Sequence, residues 1–255
     1  MTLTLTPLTN IPLIQPGHNL EKILLVSLKA NGIILKNGDI LSITQKIVSK
    51  VEGRFKYLRD IKPSDRAVEL AKVSKRDPRY IELILQESKG IIRVTKSTII
   101  VEHRLGFICA SAGIDRSNVS PISTEQEKPY LLLPKNPEKS AKRIQKYFKE
   151  ETGKDIGIII IDSHGRPWRY GVVGIAIGIA GVPALVDMRG KVDLFNRKLK
   201  ITKIGAADEL AAASSLIMGQ ADERIPAVHI RGFPYKLRRS SIKELFREKQ
   251  KDLFR

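Results

Sequence analysis

The chain alternates between short apolar runs, which are typical of strands, and longer segments with apolar residues at helical spacing. Periodic positions bounded by capping residues predict helices, and these run over 20–30, 65–74, 78–88, 140–152 and 204–218. Apolar runs predict strands, and these lie at 40–44, 91–95, 98–102, 105–110, 155–162 and 171–179. Because strands and helices do not alternate strictly, the pattern favours an α+β fold with mixed, mostly antiparallel sheets and flanking helices.

The C-terminal segment carries one further helical pattern. Residues 241–244 have the S-x-x-E form of a capping box, which predicts a helix over 240–255. Apolar residues then follow at helical spacing, at Ile242, Leu245 and Phe246 and beyond them at Leu253 and Phe254. We expect this face to pack on its own protein or across a dimer, since acidic residues among its bases make membrane binding a weaker alternative.

Composition sets the broad class. The 255 residues suffice for one large domain or two small ones, and with 42% hydrophobic but only 5% aromatic residues the core must be mainly aliphatic. The longest apolar stretch, 172–186, is interrupted by glycines and a proline, which makes it a poor membrane span. No basic segment followed by an apolar core marks a secretion signal, and the single cysteine, Cys109, cannot form an intramolecular disulfide. Both features predict a cytoplasmic protein.

The charge is strongly basic. Lys and Arg number 45 against 27 Asp and Glu, a formal net charge of +18. One interpretation is a nucleic-acid partner, and the other is a solvated lysine-rich surface with a pocket for anionic substrates. The basic residues are dispersed along the chain and are not interleaved with the aromatic residues that stack bases. This distribution favours the second interpretation.

Several familiar sites are excluded by their motifs. Neither G-x-x-x-x-G-K-[ST] nor G-x-G-x-x-G opens a helix, so any nucleotide site is neither a P-loop nor a Rossmann turn. The four histidines lack zinc-ligand spacing and are interpreted as surface residues or as neighbours of a site. Cys109 lies within an apolar run and is interpreted as a small core residue.

Two aspartates carry the clearest chemical signal. Asp115 and Asp162 each follow an apolar run, and each is predicted to open a polar turn beside small or hydroxylated residues. Carboxylates in this position hold Mg²⁺ or Mn²⁺ against phosphate oxygens. The alternative is that both are turn residues that accept hydrogen bonds from nearby backbone amides.

An ordered series of motifs then resembles the coenzyme F420-0:γ-glutamyl ligase (F420-0:L-glutamate ligase) family. The series spans the chain from about residue 10 onward, and its members lie at 11–14, 38–54, 112–119, 131–134, 162–166, 174–178, 207–212 and 218–220. The resemblance implies a single catalytic unit over 1–255, with two interleaved lobes as an alternative arrangement. It also implies an α+β fold unlike other nucleotide-binding folds, assembled as a homodimer through an intertwined sheet.

The resemblance implies an amide ligase that uses GTP to add L-glutamate to a deazaflavin cofactor precursor through an acyl phosphate. Two Mg²⁺ or Mn²⁺ ions are expected per site, with K⁺ as a further candidate. Two alternatives stay open: a related metal- and GTP-dependent ligase with another carboxylate acceptor, and a basic nucleic-acid-binding protein in which these motifs are only structural.

The family also implies roles for individual residues. Asp115 and Asp162 are expected to bind one ion, and Ser163 and Gln220 a second. Nucleotide contacts are expected from Ile11, Pro12, Leu13, Ile14, Gln45, Lys46, Lys50, Asn118, Met218, Gly219 and Gln220, with the segment 216–223 closing over the nucleotide. For Lys46 and Lys50 the alternative is a solvated strand edge. Asp208 and Glu209 are the next metal candidates, although solvation on a helix surface is their alternative role.

Overall fold

The computed structural model describes residues 2–119 and 128–253. Within these ranges the strands are β1 Thr4–Pro7, β2 Ile40–Thr44, β3 Phe55–Lys56, β4 Ser88–Thr95, β5 Thr98–His103, β6 Ile108–Ala110, β7 Tyr130–Leu131, β8 Gly157–Arg166, β9 Arg169–Ala180, β10 Val186–Asp187, β11 Lys203–Ile204 and β12 Ala227–Arg231. The α-helices are α1 Leu20–Ala30, α2 Gln45–Val51, α3 Asp65–Ser74, α4 Pro78–Gln86, α5 Pro137–Thr152 and α6 Ala206–Met218. In this described part of the chain, no helix combines the length and the apolar character that a membrane crossing requires.

A five-stranded mixed sheet forms the centre of the fold. Its order is β1-β12-β2-β8-β9, in which only β2 and β8 run parallel within the described residues. The described residues also form a three-stranded antiparallel sheet, β4-β5-β6, and two two-stranded sheets, β3-β7 and β10-β11. The architecture is therefore α+β with mixed and antiparallel sheets, as the pattern predicted.

The central sheet is covered on both faces, and β8 shows why. Its four consecutive isoleucines alternate in direction, because successive side chains of a strand point to opposite faces. Ile158 and Ile160 join one hydrophobic core, and Ile159 and Ile161 join the other. Helices α1 and α5 cover the first core and α6 covers the second. Each buried isoleucine contributes roughly 2 kcal/mol.

Local capping explains where predicted helix bounds succeeded and where they failed. Helix α1 has the predicted bounds, and Asn19 caps it by accepting from the Lys22 amide at 2.9 Å. Helix α5 begins three residues before the predicted start, because Asn136 accepts from the Lys139 amide at 2.9 Å and proline suits the first helical position. Helix α4 ends two residues before the predicted bound.

The strand that carries Asp162 is longer than predicted. Asp162 does not open a polar turn, because β8 continues to Arg166 and pairs with β9 throughout, Asp162 opposite Ile175. Conversely, the run 105–110 forms a strand only over Ile108–Ala110. Gly106 (φ +105°) lies in a turn, in which its amide donates a hydrogen bond to the His103 carbonyl. In β8, by contrast, burial of one face sustains the strand beyond its apolar run.

The C-terminal segment differs from its prediction in form. The capping box of Ser241 and Glu244 is present, but the segment forms two short 3-10 helices, Ile242–Leu245 and Lys249–Lys251. Ile242 is buried and Phe246 packs against both cores, so the apolar face does contact its own chain. Leu253 is exposed, and Phe254 lies outside the described residues.

Candidate active site

The parallel pair β2-β8 brings the main candidates together. Thr44 at the end of β2 lies opposite Ile161 of β8. Gln45 and Lys46, which begin α2 directly after β2, and Asp162, which follows Ile161 in β8, therefore meet at one edge of the sheet. Lys46 and Lys50 lie on α2 and not on the strand edge considered as their alternative.

Asp115 approaches this edge from a separate segment. Its backbone pairs with Leu131, each amide donating to the other's carbonyl at 2.9 Å. One carboxylate oxygen accepts from Gln45 Nε2 at 2.5 Å, and the other lies 3.5 Å from Lys46 Nζ. Gln45 is itself buried and its Oε1 accepts from the Ser49 hydroxyl at 2.9 Å. Side chains rather than backbone amides thus engage this carboxylate.

The turn that precedes Asp115 is strained. Ser111, Ala112 and Gly113 all have positive φ, at 50°, 51° and 62°. For a residue with a Cβ this conformation costs roughly 1–2 kcal/mol. At Gly113 a Cβ would meet the Leu133 side chain at 2.8 Å, so a glycine is required. Strain of this kind persists where the surrounding structure fixes a functional conformation.

Asp162 and His164 point to the same face of β8. The His164 Nε2 lies 2.9 Å from the Asp162 carboxylate, and the histidine ring packs against Phe107 with centroids 5.3 Å apart. Ser163 lies between them in the strand and therefore points to the opposite face. Helix α6 lies on that face, because a Cβ on Gly174, the residue paired with Ser163, would meet the Ala211 carbonyl of α6.

The electrostatics of the site show two competing carboxylates. Burial, and then the charge of Asp162, raise the pKa of Asp115 to about 6, against the opposing effect of Lys46. Burial and the charge of Lys46 lower the pKa of Lys50, against the opposing effect of Asp115. The site therefore combines two repelling carboxylates with two repelling ammonium groups. Perturbed groups gathered in this way are typical of functional sites.

A second turn contacts the Asp115 segment. Asn118 donates from Nδ2 to the Ala221 carbonyl at 2.7 Å, and Lys46 Nζ reaches the Ser117 carbonyl at 3.3 Å. Gly219 (φ +71°) turns the chain after α6, and the Glu223 carboxylate accepts from the Ala221 amide at 2.8 Å. The structure thus links Asn118 to the segment 216–223.

The other predicted contacts are spread around this centre. Ile14 is buried and Ile11 packs on the first core, whereas Pro12 and Leu13 are exposed. Met218 is buried in the second core, and Gln220 is exposed beside Gly219. Of the predicted set, Gln45, Lys46, Lys50, Asp115 and Asp162 form the central group.

The donor set fits a divalent ion held jointly with a substrate. Among the described residues, no three or more His, Cys, Asp and Glu side chains gather as a complete metal cage. Mg²⁺ is commonly bound by one or two carboxylates together with substrate phosphates. Asp115 and Asp162 offer hard oxygen ligands whose mutual repulsion a cation would relieve.

Two further residues lie near the site. Of the two interpretations given for His164, a surface residue or the neighbour of a site, the structure supports the second, since His164 is buried and contacts Asp162 at a spacing of two along β8. Asp208 is not solvated on the surface of α6, since it accepts from the Ala176 amide at 3.0 Å and burial raises its pKa. Cys109 is a buried core residue as predicted, and burial followed by the charge of Asp162 raises its pKa to about 12.

Fold and site together define an α+β protein whose central group of two carboxylates and two lysines lies at one edge of a mixed sheet. The chain belongs to the F420-0:γ-glutamyl ligase family, whose model matches residues 9–232. The resemblance inferred from the motifs is therefore confirmed.

Curated relatives match along most or all of their length. The chain is 43% identical to the coenzyme F420:L-glutamate ligase of Methanothermobacter thermautotrophicus, with both chains covered completely. It is 45% identical to the protein of that name from Methanocaldococcus jannaschii, over 87% of this chain and 86% of the relative. It is 35% identical to the one from Archaeoglobus fulgidus, over 100% of this chain and 97% of the relative.

Proposed function

We propose that this protein is a cytoplasmic ligase that uses GTP to join L-glutamate to the deazaflavin precursor F420-0 through an acyl phosphate. The observation that carries the proposal is that two lysines and two aspartates converge where the parallel pair β2-β8 reaches the edge of the sheet: Lys46, Lys50, Asp115 and Asp162. The names of the relatives, coenzyme F420:L-glutamate ligase, support the acceptor and the amino acid.

The two lysines are suited to phosphate binding. Lys50 is buried and its charge is disfavoured there, with Lys46 adding repulsion. An anionic phosphate would relieve both effects, since charge-assisted hydrogen bonds to phosphate are strong. Lys46 can reach outward from its 3.5 Å contact with Asp115, while Asn118 and the 216–223 turn lie on the same side for contacts with the rest of the nucleotide.

Asp115 and Asp162 are assigned to Mg²⁺ or Mn²⁺, and Ser163 and Gln220 remain candidates for a second ion, with K⁺ as a further activator. A bound divalent ion would supply positive charge to the phosphate oxygens. Gln45 orients the Asp115 carboxylate and His164 orients that of Asp162. These contacts restrict both carboxylates to the side of the sheet edge where the lysines lie.

The reaction balances in two steps. A carboxylate oxygen of the acceptor attacks the γ-phosphorus of GTP, the bond to the β-phosphate oxygen breaks, and GDP leaves. The amine of L-glutamate then attacks the acyl carbon, the bond to phosphate breaks, and the amine loses a proton as the amide forms. Catalysis of this kind depends on positioning and charge stabilisation.

The homodimer with an intertwined sheet belongs to the same proposal, as does a fold distinct from Rossmann and P-loop folds. Large apolar side chains are exposed at the β8-β9 hairpin and in the loop that follows β10, including Trp168, Leu194 and Phe195. A contiguous exposed apolar patch marks an interaction surface, and these residues are our candidates for one. A sedimentation measurement that gives a single-chain mass at micromolar concentration would contradict this part.

The test is a glutamylation assay with purified protein. GTP, MnCl₂, L-glutamate and F420-0 are incubated together, and products are read by mass spectrometry with GDP and phosphate release. We expect a mass increase of one glutamyl unit, lost when any component is omitted or when ATP replaces GTP. Absence of product with GTP binding intact would indicate a different carboxylate acceptor.

The acyl phosphate has its own test. The acceptor carboxylate is labelled with heavy oxygen, and the released phosphate is analysed. Transfer of one labelled oxygen to phosphate is expected. Unlabelled phosphate would exclude this intermediate.

A further inference from the structure

A buried ion cluster lies outside the central group and is not used by the proposed chemistry. Its centre is Glu87, whose two carboxylate oxygens accept from Arg54 Nη2 at 2.9 Å and Arg104 Nε at 2.7 Å. His103 is fully buried beside them, 3.7 Å from the carboxylate. Burial alone would raise the pKa of Glu87, but the surrounding hydrogen bonds and charges lower it to about 2.

Both arginines also donate to one short segment, 131–135. Arg54 Nε donates to the Leu133 carbonyl at 2.9 Å. Arg104 donates to the next two carbonyls, from Nη2 to Pro134 at 3.2 Å and from Nη1 to Lys135 at 2.6 Å. Three consecutive carbonyls are therefore held by two arginines that share one carboxylate. Such planar, multidentate contacts require guanidinium groups, which lysine cannot replace.

The same segment forms the support for Asp115. Leu131 exchanges both backbone hydrogen bonds with Asp115, and the Leu132 amide donates to the Arg54 carbonyl at 3.0 Å. The Leu133 side chain fills the space beside Gly113 in the strained turn. Arg54 also lies three residues after the end of α2, the helix that supplies Gln45 and Lys46. The cluster thus contacts both elements that define the Asp115 carboxylate.

The geometry points to Arg54, Glu87 and Arg104 as positioning residues that hold the 131–135 segment in place. Because Leu131 of this segment pairs with Asp115, they thereby fix the position of the Asp115 carboxylate in the site. This inference rests on the proposed function for its catalytic consequence, but its structural part does not. Loosening the segment frees the Leu131 pairing and allows the strained turn at 111–113 to relax. Outer contacts of this kind alter activity or metal affinity by about 10- to 100-fold.

The chain offers a matched control at the opposite end of β2. Arg231 likewise joins a buried carboxylate to the backbone: it donates two nitrogens to Asp39, at 2.9 and 2.7 Å, and donates to the Ile34 carbonyl at 2.8 Å. Arg104→Lys and Arg231→Lys therefore each remove a guanidinium group that links a buried carboxylate to backbone carbonyls, in two different places. Arg54→Lys examines the inference independently, should Arg104→Lys not purify as a folded protein.

The first readout is hydrogen exchange of the Asp115 and Leu131 amides, which does not depend on activity. We expect it to rise at least about 10-fold in Arg104→Lys and Arg54→Lys but not in Arg231→Lys. The second readout is ligation, with kcat lowered about 10-fold or more and the KM for L-glutamate little changed. Wild-type protection of both amides in the two variants would overturn the inference. Wild-type protein without ligation would count against the proposed function alone.

Discussion

The two ends of strand β2 carry carboxylates in opposite electrostatic conditions. Asp39, just before the strand, is almost fully buried and accepts from Arg231 at 2.9 and 2.7 Å and from the Lys36 amide at 2.8 Å. His229 Nε2 lies 2.9 Å from the same carboxylate. Burial opposes ionisation of Asp39, yet these partners lower its pKa below the usual range.

Asp115, which contacts the residues just after β2, lacks such compensation. It has one ammonium at 3.5 Å and a second carboxylate nearby, and its pKa is raised to about 6. Asp39 therefore stabilises the fold with its own partners, whereas Asp115 and Asp162 form a site that a cation and phosphates would complete. A carboxylate whose charge the fold does not balance is a stronger indication of function than a buried carboxylate alone.

The largest effect is expected from Asp115→Asn and Asp162→Asn. Each removes a carboxylate from the proposed ion site, and we expect kcat to fall about a thousandfold or more, roughly 4 kcal/mol. The fold should persist, since Asp115→Asn also removes a charge that burial disfavours. Steady-state ligation and thermal melting are measured together, and near-normal turnover in either variant would show that the ion binds elsewhere.

At the other end of β2, Asp39→Asn should affect stability and not chemistry. Removing one member of a buried ion pair leaves Arg231 and His229 uncompensated, at a cost of about 3–5 kcal/mol. We expect the melting temperature to fall by roughly 10 °C and kcat of the folded fraction to stay unchanged. A lower kcat in fully folded Asp39→Asn protein would contradict the distinction between the two ends of β2.

Glu87 is a third buried carboxylate, and because its partners lower its pKa, its contribution to stability should depend on pH. Because its folded pKa, about 2, lies below the ordinary 4.5, its stabilisation is fully present above about pH 4.5 and is lost as pH falls toward 2. Glu87→Gln should therefore lower the free energy of unfolding by about 2–3 kcal/mol at neutral pH, with a gap that narrows in acid. Urea unfolding at several pH values measures the gap, and a constant difference would exclude this linkage.

The smallest effect is expected for an apolar contact. Truncation after Ser240 removes Ile242, which is buried, and Phe246, which packs against both cores. We expect a loss of roughly 2 kcal/mol, mainly from Ile242, or a weaker dimer. Identical melting and sedimentation of the truncated and full chains would show that the tail contributes neither.

Local signals allowed much of the fold to be predicted. Asn19 and the apolar periodicity after it define α1, and the isoleucine run of β8 identifies a buried strand. The continuation of β8 through Asp162 was not predictable, because it depends on pairing with β9 and not on the residues themselves. The 3-10 geometry of the tail likewise depends on what Ile242 and Phe246 pack against.

The site was predictable only in part, for the same reason. Asp115 and Asp162 were identified from their positions after apolar runs and from the family motifs. Asp162 meets Lys46 through the parallel pairing of β2 and β8, which joins segments more than a hundred residues apart in sequence, and Asp115 is brought there by a separate segment that pairs with Leu131. The Glu87 cluster was not predictable either, since Arg54, Glu87 and Arg104 lie in three separate connections between elements, which no motif joins.

The most direct test of the central claim is Mn²⁺ binding in the presence of GTP, followed by electron paramagnetic resonance. We predict that wild type binds Mn²⁺ with GTP and that Asp115→Asn and Asp162→Asn each bind it at least about 10-fold more weakly. Arg231→Lys, which disturbs only the compensated end of β2, should match wild type. Undiminished Mn²⁺ binding by both aspartate variants would contradict the assignment of this edge of the sheet as the metal–nucleotide site.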